Sequence, residues 1–139
     1  MAITADNKYL FTNGGRGGDV KQFRVSDGVM IKLYEGVLED GINVMTISPD
    51  NKYLYVGGDS GGDGGIGVGV LDKICIESQK VGPYLGKVHG SYIKGLKTTR
   101  DSKSLITASS DRSVKRISTN GKFEEKYFKD VCDGKITAM

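Results

Sequence analysis

The stretch GGDSGGDGGIGVGV, residues Gly57–Val70, contains the residues whose spacing comes nearest to a known binding motif. Within it, Gly62-x-Gly64-x-x-Gly67 has the glycine spacing of dinucleotide-binding loops, which hold a pyrophosphate at the N-terminus of a helix. The residues that follow, Val68-Gly69-Val70-Leu71, alternate between glycine and larger apolar residues, which predicts a strand and not a helix. We therefore interpret Gly57–Gly65 as a long glycine turn that binds nothing.

The same stretch partly imitates a calcium-binding loop. Asp59, Asp63 and Gly64 have the spacing of three positions of an EF-hand loop. Gly61 and Val70 stand where that loop needs two further ligands, and a hard cation takes about six to eight oxygens. Two carboxylates are too few, so no metal site is predicted.

Other catalytic or metal-binding chemistry is sparse. His89 is the only histidine, and Cys75 and Cys132 are the only cysteines, in separate parts of the chain. A lone imidazole has no companions for a metal, and no G-x-S-x-G nucleophile elbow is present. We predict no catalytic residue, no metal and no cofactor. We interpret the two thiols as free, which favours the cytoplasm, and one disulfide remains the alternative.

Composition narrows the classes of partner. The 139 residues carry a formal net charge of +3 without a block of like charges, which argues against a nucleic-acid surface. No apolar run is long enough to cross a membrane, so no membrane contact is predicted. The 21 glycines against 2 prolines indicate many tight turns between short apolar runs.

The elements that position these residues repeat along the chain. ITADNKYLFTNGG (Ile3–Gly15) recurs as ISPDNKYLYVGG (Ile47–Gly58) and, more weakly, as TTRDSKSLITASS (Thr98–Ser110). The repeat units are approximately 1–44, 45–95 and 96–139. Each unit divides into four short alternating segments at glycine-rich breaks, near Gly14–Gly18, Asp27–Gly28 and Glu39–Gly41 in the first. We predict about twelve strands and almost no helix, since four strands per repeat of roughly 45 residues is typical of β-propellers.

These repeats resemble WD-repeat β-propellers along the whole chain. SPDNKYLYVGG and SSDRSVKRI (Ser109–Ile117) carry the resemblance, with lactonase-type propeller repeats as a second relative. The family's Trp-Asp pair falls at Phe23-Arg24, Gly69-Val70 and Ile117-Ser118, and the chain has no tryptophan. The family's buried His-Ser/Thr-Asp-Trp network therefore cannot form intact. The resemblance implies an all-β propeller segment of three four-stranded antiparallel blades, open unless another copy or chain completes it.

The resemblance also implies a function and a face for it. WD-repeat propellers are protein-interaction scaffolds, and their turn between the second and third strands shares a face with the loop that enters the next blade. Carried over to this sequence, that candidate partner-binding face comprises Arg16, Asp19, Glu39, Asp40, Asp59, Asp63, His89, Arg112, Asp130 and Asp133. The alternatives are an enzyme of the sugar-lactone hydrolase type and a purely structural part of a longer propeller chain.

Three blades are too few to close a propeller. Closure needs about four to eight blades, so two blade faces would be bare. We expect a neighbour at each bare face, either a second copy in a head-to-tail, six-bladed ring or blades that belong to the same or another chain.

Overall fold

The computed structural model describes residues 1–15, 17–61 and 67–120, together with the backbone of a last strand at 126–129. This part of the chain forms thirteen β-strands: β1 Ala2–Ile3, β2 Tyr9–Asn13, β3 Val20–Arg24, β4 Met30–Tyr34, β5 Gly41–Ile47, β6 Tyr53–Ser60, β7 Val68–Cys75, β8 Lys80–Val81, β9 Gly86–His89, β10 Ile93–Thr98, β11 Ser104–Ser109, β12 Ser113–Ser118 and β13 Lys126–Lys129. It contains no helix, and hence none that could cross a membrane.

The strands form three antiparallel sheets, which we call blades 1, 2 and 3. Their strand orders are β1-β2-β3-β4, then β5-β6-β7-β8 with β9 also paired to β7, then β10-β11-β12-β13. The predicted fold class, three antiparallel four-stranded blades, is confirmed. The extra strand arises because the outer strand of blade 2 is divided into β8 and β9, which pair with different parts of β7.

The blades begin at slightly different places from the repeat units. Blade 2 starts at Gly41 and blade 3 at Ile93, so the units 45–95 and 96–139 begin inside β5 and β10. The predicted breaks near Gly14–Gly18, Asp27–Gly28 and Glu39–Gly41 fall on the connections that follow β2, β3 and β4.

A short polar motif forms the first turn of every blade. In blade 2, the Ser48 hydroxyl accepts a hydrogen bond from the Tyr53 amide at 3.0 Å, and Asp50 accepts one from the Lys52 amide at 3.1 Å. Asn51, between them, has a φ of +57°, a conformation that asparagine tolerates better than most residues. Thr4 and Asp6 in blade 1, and Thr99 and Asp101 in blade 3, accept the equivalent bonds. This local chemistry explains why the repeat is visible in the sequence.

Two apolar cores lie between the blades. The first packs Phe11, Val20 and Tyr34 of blade 1 against the face of blade 2 that carries Leu54 and Ile74. The second packs Tyr55 and Leu71, on the opposite face of blade 2, against Leu105 and Ile117 of blade 3. Alternation along each strand thus buries both faces of blade 2, which lies in the middle of the stack.

The glycine stretch differs in part from the prediction. β6 runs to Ser60, so Gly57 and Gly58 are buried strand residues and the predicted turn at Gly57–Gly65 is wrong for them. A Cβ atom on Gly58 would lie 1.8 Å from the carbonyl oxygen of Gly41 in the neighbouring strand, so glycine is required by close packing there. Residues 62–66, which include Gly62 and Gly64 of the fingerprint, lie outside the described residues. That the stretch binds nothing stays a prediction.

Candidate functional site

The connections between blades are hydrogen-bonded to the turns between second and third strands. At the first junction, the Leu38 amide donates to the Gly18 carbonyl at 3.3 Å, and the Gly36 amide donates to the Asp19 carboxylate at 2.8 Å. The connection that leaves blade 1 therefore lies against the β2–β3 turn. That these turns and connections form a partner-binding face stays a prediction.

The same connection also contacts the end of the β6–β7 hairpin. The Ser60 hydroxyl donates to Glu39 at 3.2 Å and the Gly61 amide donates to Asp40 at 2.6 Å. On the neighbouring strand, the Asn43 side chain donates to Asp59 at 3.2 Å. Together with Asp19, these carboxylates make the face acidic around the first junction, although the chain as a whole is basic.

The second junction has the same arrangement with different residues. The Gly90 amide, in the β9–β10 connection, donates to the Asp111 carboxylate at 3.0 Å, and the Ser109 hydroxyl donates to the Ser91 carbonyl at 3.0 Å. Arg112 is exposed in the adjoining β11–β12 turn. The other predicted face residues, Arg16, Asp63, Asp130 and Asp133, lie outside the described residues.

His89 is the centre of a buried polar network between blades 2 and 3. Its Nδ1 lies 3.0 Å from an Asp111 carboxylate oxygen and 3.0 Å from the Ser113 hydroxyl, and its Nε2 lies 2.8 Å from the Thr107 hydroxyl. The Ser113 hydroxyl donates to the other Asp111 oxygen at 2.6 Å. Lys115 Nζ donates to the Val88 carbonyl beside the histidine. Since a carboxylate only accepts, Nδ1 carries the hydrogen that faces Asp111.

This network corrects the prediction for His89. The residue is 3% exposed, so it holds two blades together and cannot contact a partner at the surface. The network also lacks a tryptophan, as expected, because Ile117 fills that position and packs in the apolar core. The histidine, threonine and aspartate nevertheless come together. Sequence reasoning did not pick out Thr107 and Ser113, although the run TASSDRS after a preceding Val-His-Gly was the signal available.

The environment of Asp111 fixes its ionisation. Partial burial alone would raise the pKa of this carboxyl, but the hydrogen bonds from Ser113 and the interaction with His89 outweigh it and hold the pKa at about 2. The carboxylate is therefore charged at any pH near neutrality. A hydrogen bond to a charged group contributes more than a neutral one, so the network is a strong link between blades.

This lowered pKa predicts an acid-sensitive contribution to stability. Because the folded pKa lies below the ordinary value of 3.8, Asp111 stabilises the fold above about pH 4 and loses that contribution as the pH falls towards about 2. We expect the stability advantage of the wild type over Asp111→Asn to shrink across this range. Urea titrations at several pH values, followed by circular dichroism, measure it. A constant difference between the two proteins would contradict the expectation.

No metal-like cluster is found in the part of the chain that the structure describes. There, no three His, Cys, Asp or Glu side chains converge as ligands would. Cys75 is a half-buried free thiol, and hydrogen bonds from the Ser78 side chain and backbone lower its pKa.

Comparison with solved structures identifies the architecture. The WD40 repeats of RRP9 superpose with a TM-score of 0.75 at 20% sequence identity, over 91% of this chain and 37% of that one. The chain has the fold of a WD-repeat β-propeller. U3-55K superposes with a TM-score of 0.74, also at 20% identity and over 91% and 37% of the two chains. The sequence itself matches no known family profile and no curated protein. The chain spans just over a third of the length of these WD-repeat structures.

Proposed function

We propose that this chain is a protein-interaction scaffold, a segment of a WD-like propeller whose bare blade faces are covered by further blades. The observation that carries the proposal is the outer face of blade 1, which points away from blade 2. Strand register places Ile3, Leu10, Phe23, Met30 and Leu33 on it, and we call it the bare face.

The bare face has equivalents that are covered in the other two blades. Leu10 is paired with Phe23 across β2 and β3. The same positions are Leu54 with Ile74 in blade 2, and Leu105 with Ile117 in blade 3. In blades 2 and 3, the preceding blade packs against this pair, and its residues are at most 2% exposed. The bare face is therefore built as a surface that receives a blade.

The bare face is exposed as expected for a blade face that no neighbouring blade covers. Ile3 is 49% exposed, Met30 48% and Leu33 37%, while Leu10 and Phe23 are half-buried. Contiguous apolar side chains at this exposure mark an interaction surface in a soluble protein. Burying them against another blade is favourable at roughly 25 cal/mol per Å² of apolar surface.

The polar residues of the bare face indicate which backbone group the neighbouring blade presents. Thr12 pairs with Lys21, the positions that Thr107 and Lys115 hold in blade 3. Lys115 donates to a carbonyl of the preceding blade, so Lys21 fits an incoming blade that offers a backbone carbonyl at its outer strand. The neighbour is therefore expected to be blade-like in its backbone as well as apolar.

Two kinds of neighbour fit the bare face. The free face of blade 3 carries Arg116, and Lys97 through its pairing with Ile106. In blade 2, Lys73 holds the position of Arg116 and faces the blade that carries Lys115, so cations at these positions are compatible with stacking. We propose blades from the same or another protein chain, and the two-copy ring is the alternative for the experiment to separate.

Partner contacts are proposed to run through the acidic part of the loop face, around Glu39, Asp40 and Asp59. A hydrolase of the lactonase type has less support, because His89, the only histidine in the sequence, is buried in the link between blades. We propose a cytoplasmic location from the interpretation of the cysteines as free thiols.

A substitution on the bare face tests the proposal. We expect the isolated chain to self-associate above its 15.0 kDa monomer mass at micromolar concentration, and Leu33→Lys to reduce this association. Sedimentation velocity measures both. Val81→Lys is the matched control, because Val81 is 43% exposed but belongs to the outer strand of blade 2.

The outcomes separate the alternatives. A defined dimer of the two-copy ring would replace the preferred version, whereas concentration-dependent association without a fixed stoichiometry would support missing blades from elsewhere. A stable monomer that Leu33→Lys leaves unchanged would contradict the proposal.

A further inference from the structure

A groove on the loop side of the first junction carries an inference beyond blade closure. Its volume is about 360 Å³, at the small end of the roughly 300–1,000 Å³ of ligand clefts. Val37, Leu38 and Val70 form an apolar floor and are at most 6% exposed, while Glu39 and Tyr84 stand beside it. Both blades that form the groove belong to this chain, so it does not depend on further blades.

The divided outer strand of blade 2, β8 and β9, forms one wall of the groove. The Gly82 amide donates to the Lys73 carbonyl at 2.7 Å, and the Leu85 amide donates to the Leu71 carbonyl at 3.2 Å. Between these two bonds the chain leaves the sheet at the level of Asp72, and Tyr84 is 55% exposed there. The groove is thus open where a regular fourth strand would have closed it.

Asp72 is a buried carboxylate that forms no ion pair among the described residues, and the neighbouring Lys73 offsets its charge in part. It follows Val70 on the same face of β7 and is 5% exposed. Its hydrogen bond comes from the Lys73 amide, and no cationic group of the described residues lies within ion-pair distance. Burial raises the pKa of this carboxyl. The equivalent positions in blades 1 and 3 are the lysines Lys21 and Lys115, so the acid is particular to this junction.

Both acids lie near Tyr84. Glu39 lines the groove with Tyr84, and Asp72 lies between the two bonds where the chain of Tyr84 leaves the sheet. Burial raises the pKa of the Tyr84 hydroxyl, and the negative charges of Glu39 and Asp72 raise it further. Three other tyrosines, Tyr34, Tyr53 and Tyr92, each have a lysine amino group 5.3–5.7 Å from the ring centre. Tyr84 has no such cation among the described residues, although two carboxylates beside it favour one.

We propose that this groove binds a lysine or arginine side chain of a protein partner, with the cation beside Tyr84 between Glu39 and Asp72. An apolar residue next to it in the partner would cover the floor formed by Val37, Leu38 and Val70. Lys87 and Glu39 are the charged groups in the groove lining, and Asp72 lies next to the lining residue Val70 on the same face of β7. One cation beside two carboxylates leaves a charge balance that favours a basic ligand. This inference rests on the proposed scaffold function, for which it names the chemistry of one partner.

A pair of short peptides tests the groove. The probe is acetyl-Leu-Arg-Leu-amide, with acetyl-Leu-Glu-Leu-amide as its charge-reversed control, titrated into the isotope-labelled chain by two-dimensional NMR. We expect saturable shifts at Leu38, Glu39, Tyr84 and Lys87 with the arginine peptide alone. The combined variant Glu39→Gln and Asp72→Asn weakens binding by about tenfold, since hydrogen bonds to charged groups are lost.

Matched variants keep the test decisive. Glu77→Gln removes the same charge from the exposed turn before β8 and leaves the affinity unchanged. Tyr84→Ala, at an exposed site, also weakens binding and reports on the groove if the Asp72 variant fails to fold. Equal shifts with both peptides, or full affinity in Glu39→Gln and Tyr84→Ala, would overturn the inference. Self-association of the same samples by sedimentation tests the scaffold separately, so the two proposals can fail independently.

Discussion

Replacing Asp111 with alanine is expected to lower the free energy of unfolding by about 3 kcal/mol, because the change leaves His89 and the Gly90 amide without their shared acceptor. The imidazole is fully buried and cannot turn to water. The histidine and Gly90 belong to the end of blade 2 and the connection behind it, whereas Asp111 belongs to blade 3. The substitution therefore weakens the packing between two blades. Chemical denaturation followed by circular dichroism measures the free energy of unfolding.

Asp101→Ala is the matched control for Asp111→Ala. Asp101 also accepts two hydrogen bonds within a turn of blade 3, from the Thr99 hydroxyl and the Lys103 amide, and both donors belong to blade 3. We expect this variant to lose much less stability than Asp111→Ala, because water can replace the lost acceptor at this exposed site. If the two variants lost equal stability, the network would act only within its own turn and not as a link between blades.

The second large effect is expected at Gly18. Its φ is +68°, and a Cβ atom there would lie 1.9 Å from the carbonyl oxygen of Leu38. Gly18→Ala therefore combines the cost of a left-handed backbone with displacement of the connection between blades 1 and 2. We expect it to lower the free energy of unfolding by about 4 kcal/mol. The midpoint of urea unfolding gives the measurement.

Gly28 provides the comparison that separates these two causes. Its φ is +71°, almost the same as that of Gly18, but a Cβ atom would have nothing within 4 Å. Gly28→Ala carries the backbone cost alone, about 1 kcal/mol. Similar losses at both positions would show that the contact with Leu38 contributes little. The groove and the acidic face both depend on the connection that Leu38 holds in place.

The strands and their turns follow from local sequence. Ser48, Asp50 and Asn51 determine a turn through hydrogen bonds that span two to five residues, and the repeats in blades 1 and 3 do the same. Alternation of large side chains then fixes which residues share a face. Fold class, strand number and the positions of the breaks could therefore be predicted, because each depends on residues close together in the chain.

The sequence did not show which polar residues meet across blades. His89 lies 18 to 24 residues from Thr107, Asp111 and Ser113, on a different sheet, and stacking of the sheets decides that they touch. Loop residues are usually exposed, which made His89 look like a surface residue. Its burial by the next blade is a property of the assembled fold. The partner-binding role of the other residues of the predicted face stays a prediction, and Arg16, Asp63, Asp130 and Asp133 lie outside the described residues.

Equivalent residues have different roles in the three blades for the same reason. By sequence alone, Leu10, Leu54 and Leu105 are one repeated position, but the structure covers two of them and leaves Leu10 at a bare face. Gly58 looked like part of a flexible turn until the backbone of Gly41 was found against it. Three repeats of antiparallel strands could be predicted from the sequence, because that order depends on neighbouring residues. The buried His89 link, the open groove beside Tyr84 and the identity of the residues on the bare face became visible in the tertiary structure, because each depends on which sheet packs against which.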